Sequence, residues 1–301
     1  MGQVIHPFKN LSSFMVALDV TNGLEGVTAI NTERIHNSVG TPHGGFISSL
    51  LNASAMQSMQ SDGVVSDVVS DVDGDVRAEL STLNVSYLSV ANPDQRMIAT
   101  SQVLSASRYD VMARSALHAD GKKIAEARLG YRFVRLSGDQ NGSVQTAAYQ
   151  APDLFSKLKP SSGLETVQEA AEKNMPPYME ALGIEFEEVA LGRVSLKMPD
   201  LNPEFVDRDG FVDPSIVVSL ADCLGLAGRT VIDGGRYTMS GLEVNLLEPL
   251  KAQDAPLRVV GTVTKPGAKN VVVQADVLGS DNQWKATATL GCMPLPESAH
   301  G

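Results

Sequence analysis

Two long stretches of this chain follow the same rhythm of apolar and polar positions. Gly26–Ile30 and Arg193–Met198 alternate apolar with polar residues, the spacing of a half-buried strand. Each is followed by a loop and then by a dense apolar run, Gly44–Met59 in one case and Pro214–Ile232 in the other, long enough to be a helix. Three or four Val-, Ala- and Leu-rich segments come next. They are separated by turn signals such as Asp120-Gly121 and Ser280-Asp281-Asn282, which predicts antiparallel hairpins. A helix is expected over residues 163–181 before the second rhythm, and a shorter leader, Pro7–Asp19, precedes the first.

The two rhythms align residue by residue. Leu80–Leu88 matches Met239–Leu247, with Ser81 on Ser240, Leu83 on Leu242 and Val85 on Val244, each 159 positions apart. Val103 and Val111 match Val263 and Val271 at 160, and Ala125–Gly130 matches Ala286–Gly291 at 161. A nearly constant offset is the mark of an internal repeat. The expected organisation is a first unit over residues 1–136, a linker rich in Ser, Gly, Gln, Asp and Pro over 137–162, and a second unit over 163–301. Each unit is read as one helix with an antiparallel sheet, an α+β architecture.

Composition narrows the function. A net charge of −11 argues against nucleic acid, which needs a basic face, but leaves room for an anionic small ligand held locally. The two cysteines, Cys223 and Cys292, form no CxxC pair, which excludes a disulfide framework and a Cys-rich zinc site. No signal segment and no run of 18 apolar residues is visible, so a soluble cytoplasmic protein without a membrane partner is expected. The acidic loop Ser61–Asp75 carries Asp71, Asp73 and Asp75 but has Val76 and Thr82 where a calcium loop needs Gly and Glu. It is read as solvated, and no metal is expected.

The chemistry concentrates in Asn37–Asn52, which reads Asn-Ser-Val-Gly40-Thr-Pro-His43-Gly44-Gly45-Phe46 and continues into the apolar helix. Two glycines at a helix start leave backbone N–H groups open to an anion or a developing oxyanion. The pattern Asn-x-x-Gly-x-x-His-Gly-Gly, leading into a helix whose position nine residues after the His is usually acidic, resembles the hotdog-fold acyl-CoA thioesterases of the phenylacetic-acid-degradation type. The resemblance covers Val16–Val134 and, more weakly, Pro177–Pro294. It implies a tandem double hotdog, each unit a long helix wrapped by an antiparallel sheet. It also implies sites built from the helix start of one unit and the acid of its partner.

Against that pattern the copies diverge. Asp207, Gly210, Asp213, Pro214 and Ser215 stand where the first copy has Asn37, Gly40, His43, Gly44 and Gly45. Asn52 occupies the acid position of the first helix, and Asp222 that of the second. The resemblance therefore implies one composite site of Gly44, His43, Asn37 and Asp222. Its counterpart would lack the acid and, at Pro214, the N–H. Gly44 would bind the oxyanion, Asp222 would attack or activate water, Asn37 would position the water or the acid, and His43 would support the loop. Gly45, Gly40 and Phe46 are candidate substrate contacts, and Arg108 is a candidate for the coenzyme A phosphates, with Lys122, Lys123, Arg229 and Arg236 as others. Cys223 is read as a core residue. Ser48, Ser49 and Ser54 are read as helix-packing residues, with no Gly-x-Ser-x-Gly elbow around them.

The function so implied is hydrolysis of an acyl-CoA thioester at one site, with coenzyme A arriving as part of the substrate and no metal or redox cofactor. The alternatives are a non-catalytic acyl-CoA-binding or regulatory protein, and a hotdog dehydratase or hydratase, whose motif spacing is not found. A homodimer of the fused chain is implied by the resemblance.

Overall fold

The computed structural model describes residues 4–5, 12–23, 25–37, 40–62, 76–135, 161–232, 237–267 and 269–294. The strands, in chain order, are β1 (Val4–Ile5), β2 (Thr21–Gly23), β3 (Gly26–Ile30), β4 (Val76–Tyr87), β5 (Arg96–Ala106), β6 (Asp110–Ala119), β7 (Lys122–Arg135), β8 (Glu185–Ala190), β9 (Arg193–Met198), β10 (Tyr237–Leu246), β11 (Leu257–Lys265), β12 (Val271–Leu278) and β13 (Trp284–Pro294). The helices are α1 (Ser13–Ala17), α2 (Gly44–Ser61), α3 (Ser162–Lys173), α4 (Pro177–Ala181), α5 (Pro214–Cys223) and α6 (Gly225–Arg229).

All the described strands join one sheet in the order β2-β3-β5-β6-β7-β4-β10-β13-β12-β11-β9-β8, with β1 alongside β4. The order of the second six mirrors that of the first. The seam is the antiparallel pair β4–β10, in which Leu83 faces Val244, Asn84 faces Glu243 and Val85 faces Leu242. Since Leu83 aligns with Leu242 and Val85 with Val244, this pairing maps onto itself when the halves are exchanged, as across a local two-fold axis. Irregularities recur at matched places too. The β4–β7 register shifts at Ser81 and the β10–β13 register at Ser240. There each serine hydroxyl donates to a carbonyl of the neighbouring strand, Gly130 at 3.0 Å and Gly291 at 3.2 Å. A bulge costs a ladder bond locally, and the hydroxyl replaces part of it.

On one face of this sheet α2 and α5 lie against each other, α2 also packing on β3, β5, β6 and β7. Sandwiched between sheet and helix, α2 is apolar or small nearly all round, as burial on every side requires. Leu50, Leu51 and Ala55 are fully enclosed. The helices approach closely because a Cβ on Gly45 would stand 2.6 Å from the Ser219 Cα. The Ser49 and Ser219 hydroxyls meet beside that contact at 3.5 Å.

Several expected elements are subdivided. The helix expected over residues 163–181 is two helices, because Pro176-Pro177 cannot continue the first. The Pro214–Ile232 helix breaks at Leu224. Gly225 and Gly228 are poor helix formers, and they let this segment close onto β10 and β13, a Cβ on Gly228 standing only 2.9 Å from Cys292 Sγ. A short strand, β2 or β8, precedes each expected first strand. The linker expected over 137–162 ends sooner, since Ser161 is the buried N-cap of α3 and Ser162 begins it. The rest of that linker, and all but the first two residues of the acidic loop, lie outside the described residues. Among the described residues no helix is long and apolar enough to cross a membrane, and no group of three or more His, Cys, Asp or Glu could hold a metal ion.

Candidate active site

The loop before α2 is a tight turn. Asn37 N–H donates to Thr41 O at 2.8 Å and Gly40 N–H to Asn37 O at 3.1 Å, with Gly40 at φ +76°. That left-handed conformation favours glycine. The Asn37 amide braces the same turn, accepting from Thr41 N–H at 3.2 Å and donating to Thr41 Oγ1 at 2.9 Å. Asn37 and Gly40 thus set the turn that delivers His43. The second half builds the same turn from Asp207, Gly210 and Phe211.

His43 is the N-cap of α2, and its ring meets Asp222 of α5. The Nδ1–Oδ2 distance is 3.0 Å, and the Gly45 N–H is directed at both, 2.8 Å from Oδ2 and 3.1 Å from Nδ1. Two bare acceptors at that distance would repel, so a proton lies between imidazole and carboxylate. Burial alone would lower the His43 pKa. The neighbouring Cys223 sulfur and the Asp222 carboxylate outweigh it and hold the imidazole up at about 10. Asp222 is only 3% exposed, and a carboxylate so enclosed needs such partners. Its other oxygen, Oδ1, accepts from the Tyr87 hydroxyl at 3.0 Å.

Gly44 sits where these groups converge. A Cβ there would lie 2.5 Å from Asp222 Oδ1 and 2.8 Å from the Tyr87 oxygen, so no other residue fits. The two glycines divide the work: Gly45 N–H holds the acid, while the Gly44 N–H has no acceptor among the described residues. Gly45 is a helix-contact and acid-holding residue rather than a substrate contact. Phe46 is fully buried and packs edge-on to Tyr178, 5.9 Å between centroids, which makes it core rather than site lining.

Arg108 lies elsewhere. It occupies the β5–β6 turn, stacked on Tyr109 at 4.6 Å. That turn is level with Arg132 of β7, whereas Tyr87 is level with Ala125. Seven residues of strand put it roughly 20–25 Å from the carboxylate. Arg229 is buried and donates to Ile232 O at 2.8 Å.

Two residues were not expected. Cys223 Sγ stands 3.7 Å from His43 Nε2, so the imidazole is held between the thiol and Asp222. Tyr87 brings the phenol, and Ser48 of α2, expected only to pack, lies 3.2 Å from it.

The counterpart residues gather at the other end of the helix pair. Asn52 donates to Ser215 Oγ at 3.1 Å and accepts from Tyr131 at 2.7 Å, while Asp213 caps α5 by accepting from Ser215 N–H at 2.8 Å. Burial raises the Asp213 pKa. Asp207 accepts from Arg77 Nη1 at 2.7 Å, a bond between the halves. Every contact around Asn52 is satisfied internally, and Pro214 provides no N–H.

No family model and no curated protein matches this sequence. Solved structures do. A hot dog fold protein of unknown function from Alicyclobacillus acidocaldarius superposes at TM-score 0.62 with 13% identity, covering 94% of this chain and 98% of its own. An acyl-CoA thioesterase II from Mycobacterium marinum gives TM-score 0.54 and 11% identity, over 96% and 99%. An acyl-ACP thioesterase from Bacteroides thetaiotaomicron gives 0.53 and 13%, over 88% and 96%. The fold is the hotdog fold, and such likeness extends over nearly the whole chain.

Proposed function

We propose that this protein is a tandem double hotdog, two copies of one unit over residues 1–136 and 163–301, and that it hydrolyses an acyl-CoA thioester at a single site composed from both. The observation that carries this reading is the meeting of Asp222 from the second half with the Gly44-Gly45 helix start of the first, leaving one N–H open beside a carboxylate. The thioester oxygen accepts from Gly44 N–H, where the helix dipole favours the charge that develops. Asp222 takes a proton from water, whose oxygen adds to the carbonyl carbon, or attacks that carbon itself. The C–S bond then breaks. On the first route coenzyme A leaves as the thiol with the proton held by Asp222; on the second it leaves as the thiolate, and water hydrolyses the acyl–Asp222 anhydride. Resemblance in the His43-Gly44-Gly45 segment favours the phenylacetic-acid-degradation type, and a cytoplasmic homodimer of the fused chain goes with it.

The test is thiol release from a panel of acyl-CoAs, aromatic and medium-chain included, by wild type and Asp222→Asn. Turnover by the wild type that disappears in the folded variant supports the reading. Equal turnover by both would sink it, and tight binding without thiol release would point instead to an acyl-CoA-binding protein. After a single turnover in ¹⁸O-water, label in the Asp222 carboxylate would show direct attack, with water opening the resulting anhydride at the Asp222 carbon.

A further inference from the structure

Tyr87 is the last residue of β4, and its phenol faces the space that a Gly44 side chain would fill. The oxygen lies 2.8 Å from that missing Cβ, 3.0 Å from Asp222 Oδ1 and 3.2 Å from Ser48 Oγ. Phenol and carboxylate therefore close on the Gly44 α-carbon, whose own amide N–H has no acceptor among the described residues. We propose that Tyr87 is a catalytic residue, the second donor to the oxyanion formed from the thioester carbonyl; the proposal rests on the thioester-hydrolase reading.

The argument follows the negative charge. At rest the charge is on Asp222, and the Tyr87 O–H donates to it. As Asp222 Oδ1 accepts the proton of the attacking water, the water oxygen bonds to the carbonyl carbon and the C=O electron pair moves onto oxygen. Charge has then left the carboxylate and appeared on the substrate, beside Gly44 N–H. The phenol hydrogen turns from the neutralised acid to the new anion, keeping a charged acceptor throughout. Collapse restores the C=O bond and breaks C–S, and the proton on Asp222 goes to the departing thiolate. Burial, and then the charge of Asp222, pushes the Tyr87 pKa well above the usual phenol range, so the group stays a donor.

The other half supplies a comparison. Tyr87 pairs with Ala125, and Leu246, 159 positions later, pairs with Ala286, the match of Ala125. Leu246 thus stands where a phenol would serve the counterpart site. That site lacks the acid (Asn52) and the amide donor (Pro214), and the phenol that reaches Asn52 there is Tyr131 of β7, not a residue at the position of Tyr87.

The experiment is steady-state acyl-CoA hydrolysis by wild type and Tyr87→Phe, which keeps the ring. The expected result is kcat lower by about 10²–10³-fold, with KM within about threefold and the thermal midpoint retained. Unchanged kcat in Tyr87→Phe, or a loss that appears in KM rather than in kcat, overturns the role of Tyr87 while the hydrolase reading stands. No turnover by the wild type overturns both.

Discussion

The carboxylate of Asp222 accepts the Gly45 N–H at 2.8 Å, so the acid of one half is held by the helix start of the other. Asp222→Asn leaves one end of the side chain an NH₂ group, which cannot accept from both Gly45 and Tyr87 as a carboxylate does. Chain folding is expected to survive, with kcat reduced about 10²–10⁴-fold. Circular dichroism beside a thiol-release assay separates lost chemistry from lost structure.

The glycines of the motif differ in what they tolerate. Gly44→Ala drives a methyl group into Asp222 and Tyr87, and Gly45→Ala drives one into the Ser219 backbone. Both are expected to lower stability by about 1–3 kcal/mol, and Gly44→Ala should also abolish turnover. Gly40→Ala meets no atom of the described residues within 4 Å, and the cost expected there is that of the left-handed backbone, about 1 kcal/mol. Urea unfolding of the three variants should give that order.

The ion pair of His43 and Asp222 makes stability depend on pH. His43 rises from 6.5 to about 10 on folding. Its contribution is therefore complete below the unfolded value and is lost as pH climbs through the folded one. Unfolding free energy should decline across that alkaline interval, and His43→Gln should flatten the decline. A profile identical in the two proteins would show that the imidazole carries no proton in the fold.

Cys223 is expected to act on that imidazole. Removing the sulfur takes away one of the partners that raise His43, so Cys223→Ala should lower its titration midpoint, read from imidazole NMR signals. Cys223→Ser, which keeps an acceptor near Nε2, should lower it less.

Asn52→Asp tests the counterpart cluster. Asp213 stands there in the place His43 takes at the active end, so a new carboxylate would be enclosed without a cationic partner. The expected loss is on the order of 2–5 kcal/mol at neutral pH, shrinking as acid neutralises the new carboxyl group.

Local pattern made much of this readable. The offset between Leu83 and Leu242 anticipated the matched registers of β4 and β10, because a register is set by which positions face the core. The turn at Gly40 and the helix start at Gly44 are written in adjacent residues. Tyr87 and Cys223 were not legible as partners of the site, since each reaches it through packing between distant segments. The mismatch of Tyr87 with Leu246 is visible in the aligned strands, yet it acquires meaning only once β4 is seen to end over Gly44. Cys223 is core, as expected, but its contact with His43, 180 positions away, was not visible in the sequence. Arg108 was placed by charge in a turn, which says nothing about which end of the sheet the turn occupies.

The seam between β4 and β10 also bears on how such a chain can change. In a dimer of identical subunits, any substitution appears in both sites at once. Here both halves lie on one chain, and each pairing between them brings together one of each kind. Asn52 and Pro214 could thus accumulate on one side without diluting the other with mispaired assemblies. A chain cut between residues 136 and 161 should retain its geometry only where the fragments are concentrated enough to find each other.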